Sequence, residues 1–189
     1  MKDLFAVARD VQEFLDQRGW RSCMIGGIAV QRWGEPRLTR DVDITLLTGI
    51  GDEEKYVDEI LRHFRSRVAE GREFALIRRV MLLTAADGTE IDVALGGLPF
   101  EANVIERASN FEFYPGMILR TCAAEDLVVM KVFAGREQDW GDVKGILVRQ
   151  GRSLNWQTIL SELQPLCELK EAPETVSQLE RLRRRIERV

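Results

Sequence analysis

Residues 41–45 read DVDIT, and no other stretch restricts the local fold as tightly. Successive side chains of a strand point to opposite faces, so Asp41 and Asp43 share one face while Val42 and Ile44 share the other. The aliphatic pair needs a core on its side. The carboxylate pair repels itself unless a cation sits between the two anions. The chain is therefore expected to build a strand with one buried apolar face and an acidic face that attracts a cation.

A later segment repeats this pattern. Asp92, in EIDVAL, lies between Ile91 and Val93 and is again a carboxylate in a strand whose neighbours point into a core. Such groups are costly unless paired or coordinating a metal. The chain has one histidine, His63, in the helical-looking YVDEILRHFRSRV, where Val57, Ile60, Leu61 and Phe64 form an apolar stripe and a solvated or half-buried structural role is expected. Its three cysteines (Cys23, Cys122, Cys167) are widely spaced and include no CxxC pair. That leaves little material for a His-based triad, a disulfide framework or a zinc site, and fits a reducing cytoplasm. Three carboxylates alone make a hard oxygen site suited to Mg²⁺ or Mn²⁺, ions that neutralise phosphates and clamp attacking and leaving oxygens. A solvated strand face explains a DxD taken alone equally well.

A chain of 189 residues can bury a sizeable core as one domain, or as one domain with a helical extension. With 45% hydrophobic and 31% charged residues it reads as globular, and a net charge of -4 argues against coating nucleic acid by bulk charge, though not against a local basic patch. The opening MKDLFAVARDVQEF carries charges throughout, so no signal peptide is expected, and no apolar window is long enough to expect a membrane span.

Helical spacing covers residues 3–18, through Leu4, Val7, Val11, Phe14 and Leu15. RSCMI reads as a strand that breaks at Gly26-Gly27, and IAVQRW as one or two helical turns. DVDITLL is followed by a Gly-rich turn and a helix over 53–66. REFALIRRVMLLTAADGTEIDVAL reads as strands around a turn at Asp87-Gly88. PFEANVIERAS suggests a short helix, and FEFYPGMILRT two extended pieces. Three or four helical patterns follow from Ala123. The expected class is α+β, a mixed β-sheet with flanking helices over 1–120, followed by a C-terminal helical region over 121–189.

Other features bear on chemistry. Gly26-Gly27 precedes a helix, where a phosphate could approach the backbone and meet free N–H groups, although a plain turn uses the same residues. Lys131 interrupts the apolar run LVVMKVFA; it either snorkels to solvent or is fixed as a point charge for phosphates. Asp139 and Asp142 are spaced to orient Lys131 or Arg136, or to form surface ion pairs. In LERLRRRIERV, Leu179, Leu182, Ile186 and Val189 oppose an arginine strip that reads first as a solvated face, with RNA or partner docking the lesser reading.

The order strand, GG turn, helix, loop, DVDI and later IDV resembles the polymerase-β-like nucleotidyltransferase superfamily, and IGGIAVQRWGEPRLTRDVDI is similar to its signature. Arg37 and Thr39 before the first Asp, with DLVVMKVFAGREQDWGDV downstream, look like the minimal bacterial AbiEii-like toxin type. The resemblance covers about residues 20–150. It implies a nucleotidyltransferase-type sheet and transfer of a nucleoside monophosphate from a nucleoside triphosphate, such as ATP, to an acceptor hydroxyl on an RNA end, a protein or a small molecule. By this resemblance Asp41, Asp43 and Asp92 are the catalytic metal ligands; Gly26, Gly27, Arg37, Thr39 and Lys131 are nucleotide-binding. It also suggests a toxin of a toxin–antitoxin system with a cognate antitoxin, and tRNA or protein as acceptor. Gly27 stands where relatives often carry serine, so its grip on phosphate relies on the backbone.

Two other DxD chemistries fit less economically. A haloacid-dehalogenase-type D-x-D-x-T wants a long apolar strand before its first Asp, and GEPRLTR is polar. A nucleotide-sugar glycosyltransferase leaves Gly26-Gly27, Asp92 and Lys131 unexplained. The rival from another class is a non-catalytic module with this fold that binds RNA or protein; metal-dependent binding of a nucleoside triphosphate separates the two.

Overall fold

The computed structural model describes residues 4–187. Asp3 of the first helical pattern and Val189 of the last apolar stripe lie outside the described residues. The chain forms two compact units: the segment up to Ile28 with Leu38–Cys122, and Ala29–Arg37 with the chain from Ala123 onward.

The first unit runs α1 (Leu4–Asp16), β1 (Ser22–Met24), the first turn of α2 (Gly26–Trp33), β2 (Asp41–Leu47), α3 (Glu53–Leu61), β3 (Arg65–Ser66), α4 (Gly71–Arg78), β4 (Val80–Thr84), β5 (Glu90–Gly96), α5 (Pro99–Arg107), β6 (Ser109–Tyr114) and β7 (Met117–Thr121). The strands make one mixed sheet in the order β3-β4-β5-β2-β1-β7-β6. Pairs β2–β5 and β1–β7 are parallel, and the other neighbours are antiparallel. The α+β class with a mixed sheet and flanking helices is thus as the sequence indicates.

Period-two alternation places the core. Val42, Ile44 and Leu46 of β2 and Ile91, Val93 and Leu95 of β5 are all buried. They belong to one cluster with Val7, Val11 and Leu15 of α1 and Val57 and Ile60 of α3. Burying each such side chain contributes about 1.5–3 kcal/mol, so the β2 register is strongly specified and its carboxylates are committed to the opposite face.

Three boundaries differ from the sequence reading. REFALIR is helix α4, not a strand. The run Phe74–Ile77 has no period of its own, and charge fits the helix: Arg72 bonds Asp58 (2.6 Å) and Glu54 (2.9 Å) of α3. The helix over 53–66 ends at Leu61, and residues 65–66 pair with β4 as β3. The ring of the exposed His63 stacks on Phe14, with centroids 4.6 Å apart. Lastly, Gly26 and Gly27 are not a turn before a helix; they are its first two residues.

The second unit holds the rest of α2 and its following loop to Arg37, then α6 (Ala124–Ala134), α7 (Glu137–Gln150), a 3-10 turn (Gly151–Ser153), α8 (Trp156–Leu169) and α9 (Glu174–Ile186). Gly135, at φ 71°, ends α6 by donating to Lys131 O at 3.0 Å. Asn155 caps α8 by accepting from Thr158 N at 3.1 Å. The loop after α2 is tied to α7: Arg149 donates to Gly34 O (2.6 Å) and Gln150 to Trp33 O (2.7 Å). On α9, Leu179 is buried, while Arg183 pairs with Glu187 and stacks on Trp156 and Arg184 pairs with Glu180. Among the described residues no helix is long and apolar enough to cross a membrane.

Candidate functional site

The parallel pairing of β2 with β5 decides where the acids lie. Asp43 is the register partner of Asp92, and Asp41 that of Glu90, so four carboxylates share one face at one end of two adjacent strands. The start of α2 closes over this face. Gly26 has φ 54°, and a Cβ there would fall 1.8 Å from Asp43 Oδ2; one at Gly27 would fall 2.1 Å from Thr39 Oγ1. Gly27 N–H points to Asp43 Oδ2 at 3.4 Å, and Thr39 Oγ1 donates to Asp41 Oδ1 at 3.0 Å. The glycines thus make room for the carboxylate and hydroxyl of the acidic motif itself.

Asp92 has a further partner that the sequence did not reveal. Arg67 Nη2 donates to Asp92 Oδ1, and its Nη1 donates to Glu90 Oε2 at 2.6 Å. Burial raises the Asp92 pKa above its ordinary value; the Arg67 charge opposes this and the Asp41 charge adds to it. The donor set suits a hard divalent ion, since every side-chain ligand on offer is a carboxylate oxygen. The absence of a side chain at Gly26 leaves the space that the Asp43 carboxylate occupies. Among the described residues, however, no three Asp, Glu, His or Cys side chains form a ready cage, and Asp92 is turned onto Arg67.

The other predicted cations belong to the second unit and form their own network. Lys131 is only 7% exposed, and its Nζ lies 3.0 Å from Asp139 Oδ1 and 2.9 Å from Asp142 Oδ2. Arg37 grips Asp142 with two hydrogen bonds (2.8 and 3.0 Å). Arg136 holds Asp139 through Nε at 2.6 Å, and Asp139 also accepts the Arg136 backbone N–H at 3.3 Å, capping α7. Lys131 therefore does not snorkel, and Asp139 and Asp142 are buried rather than surface partners. Three cations meet two carboxylates.

Burial opposes ionisation of Asp139 and Asp142, but hydrogen bonds from Arg136 and Lys131 to the first, and from Arg37 and Lys131 to the second, outweigh it and hold both pKa values low. A carboxyl whose native pKa lies below its unfolded value stabilises the fold fully above the unfolded value. Stability against denaturant is expected to hold down to the ordinary aspartate value near 3.8, then to fall as pH drops through the depressed native values. Urea titrations across this range check it, and Asp142→Asn should flatten the acid limb.

No protein-family profile matches the chain, and no curated protein matches it significantly by sequence. Solved structures do. An antigenic nucleotidyltransferase-like protein from Paracoccidioides brasiliensis aligns over 94% of this chain and 92% of its own, at 16% identity and TM-score 0.54. The antibiotic-resistance factor ANT(2'')-Ia aligns over 92% of this chain and 96% of its own, at 14% identity and TM-score 0.55. The chain has a nucleotidyltransferase fold. Within that fold, sequence reasoning found the acidic face and the lysine but missed Arg67 and the depth of Asp139 and Asp142. Arg67, in FRSRV, carries no motif, and its pairing with Asp92 spans 25 positions.

Proposed function

We propose that the chain is a metal-dependent nucleotidyltransferase that moves a nucleoside monophosphate from a nucleoside triphosphate to an acceptor hydroxyl. The observation that carries this reading is the register of Asp43 with Asp92, with Asp41 on the same face, in a fold shared with nucleotidyltransferases. Asp41 and Asp43, with Asp92 once it leaves Arg67, would hold Mg²⁺ or Mn²⁺. An ion bound there would neutralise phosphate charge and acidify the acceptor hydroxyl. The protein's own contribution is positional. Gly26 and Gly27 keep side chains off the acidic face, Thr39 orients Asp41, and the first turn of α2 offers N–H groups towards bound anions.

Arg37 and Lys131 are proposed as nucleotide-binding groups on the sequence resemblance, and their cluster carries one cation more than its carboxylates balance. An RNA end, a protein or a small molecule as acceptor, a toxin role and an antitoxin partner belong to the same proposal. The test is incubation with each α-labelled nucleoside triphosphate, Mg²⁺ and cell extract. Label is expected to enter RNA, protein or a small molecule, and to be lost with chelator. If no nucleotide labels any fraction, and none binds in the presence of metal, the non-catalytic module is the better account.

A further inference from the structure

Arg67 occupies an unusual place in the sheet. Its backbone N–H donates to Leu82 O at 2.8 Å, Leu82 is the register partner of Asp92, and Asp92 is the register partner of Asp43. These four residues thus form one row across β4, β5 and β2, with the arginine at the outer end. Strands lie about 4.8 Å apart, so the side chain must extend inward to reach the carboxylates. There it bridges Glu90 and Asp92 through its two terminal nitrogens. Its third donor is different: Arg67 Nε is buried and has no hydrogen-bond partner.

We propose that Arg67 is an exchange residue: it is the counter-ion of Asp92 in the metal-free protein, yields that carboxylate to an arriving divalent ion, and then binds the nucleotide phosphates with the released fork. This rests on the metal-dependent reading above. The chemistry of each step is ordinary ion exchange. A hard divalent ion competes with guanidinium for the same carboxylate oxygen. A displaced guanidinium whose main chain stays tied to β4 cannot leave the acidic face, and a phosphate with two free oxygens is the acceptor its planar donors match. The unused Nε then gains a partner that the carboxylates do not supply. The divalent ion that displaces Arg67 reduces the negative charge of the four-carboxylate face and attracts the anion that Arg67 binds next.

The two halves of this inference predict opposite effects of one substitution. Mn²⁺ binding is read by the paramagnetic resonance of free Mn²⁺, first alone and then with inorganic tripolyphosphate, a probe that needs no base recognition. Arg67→Gln is expected to bind Mn²⁺ alone roughly tenfold more tightly than the unmodified protein, as removal of one charge-assisted hydrogen bond allows. It should bind Mn²⁺–tripolyphosphate roughly tenfold more weakly. Arg67→Lys, which keeps the charge but cannot bridge two carboxylates, should fall between them and serves if the glutamine variant does not fold. Asp41→Asn is the control that reports the metal site itself. If Mn²⁺ binds, depends on Asp41 and is unchanged in both Arg67 variants, Arg67 is a structural pair and this inference falls while the metal site stands. Tighter Mn²⁺ with unaltered tripolyphosphate affinity also overturns the exchange. If the unmodified protein binds no Mn²⁺ with or without tripolyphosphate, the metal-dependent reading falls and takes this inference with it.

Discussion

Asp43→Asn is expected to lower nucleotidyl transfer by roughly a thousand-fold, the scale seen when a preorganised electrostatic contact is removed from a reacting phosphate or oxyanion. The reasoning starts from β2. Val42, Ile44 and Leu46 point into the core and are untouched by a change on the other face. Asparagine keeps the shape of aspartate, fits the space left by Gly26, and its amide oxygen can still accept the Gly27 N–H. What disappears is one negative charge among Asp41, Asp92 and Glu90. Crowded like charges oppose one another, so the folded state should be as stable as before or slightly more so. Loss of transfer with an unchanged or raised melting temperature is therefore the expected pair of results, read by α-label transfer and by thermal denaturation. Transfer at the unmodified rate would remove Asp43 from the chemistry and leave the acidic face as a mere feature of the fold.

Two kinds of information separate what was readable in the sequence from what was not. Period-two alternation is local, so DVDITLL and EIDVAL could be assigned as strands, with their acids opposite their aliphatics, from a few residues each. That Asp43 and Asp92 lie in register is a property of the parallel β2–β5 pairing, set by the whole sheet. The resemblance to nucleotidyltransferases supplied that expectation where periodicity could not. Helix α4 failed for the converse reason. Its apolar run is too short and too continuous to show a period, and its bonds to Glu54 and Asp58 lie in another helix. Long-range ion pairs were the least legible. Arg37 and Asp142 are 105 positions apart, and no local pattern marks a surface-looking aspartate as the buried partner of two cations. The glycines were read as a place where a phosphate approaches the backbone; the groups that lie against them in this structure are Asp43 and Thr39.

Lys131→Met is expected to destabilise the unit that contains α6 and α7 by about 3 kcal/mol, the low end for breaking a buried ion pair. The size follows from counting partners. Lys131 bonds both carboxylates, joining Asp139 and Asp142 through a single ammonium. Methionine fills a similar volume among the buried Leu127, Val128 and Val132 of α6, so little is lost to a cavity. The cost is electrostatic: two buried anions lose their shared cation. Asp142 keeps Arg37 and Asp139 keeps Arg136, which prevents the larger penalty of a bare buried charge. In a chain of this length 1 kcal/mol moves the melting temperature by roughly 2–4 °C, so the transition should fall by roughly 6–12 °C at neutral pH. Below the carboxylate range both aspartates take up protons in either protein, and the difference should close. A snorkelling lysine would behave otherwise: methionine in its place would be neutral or stabilising at every pH. A double-mutant cycle of Lys131→Met with Asp142→Asn completes the test, because two groups that meet at 2.9 Å should lose less together than the sum of their separate losses.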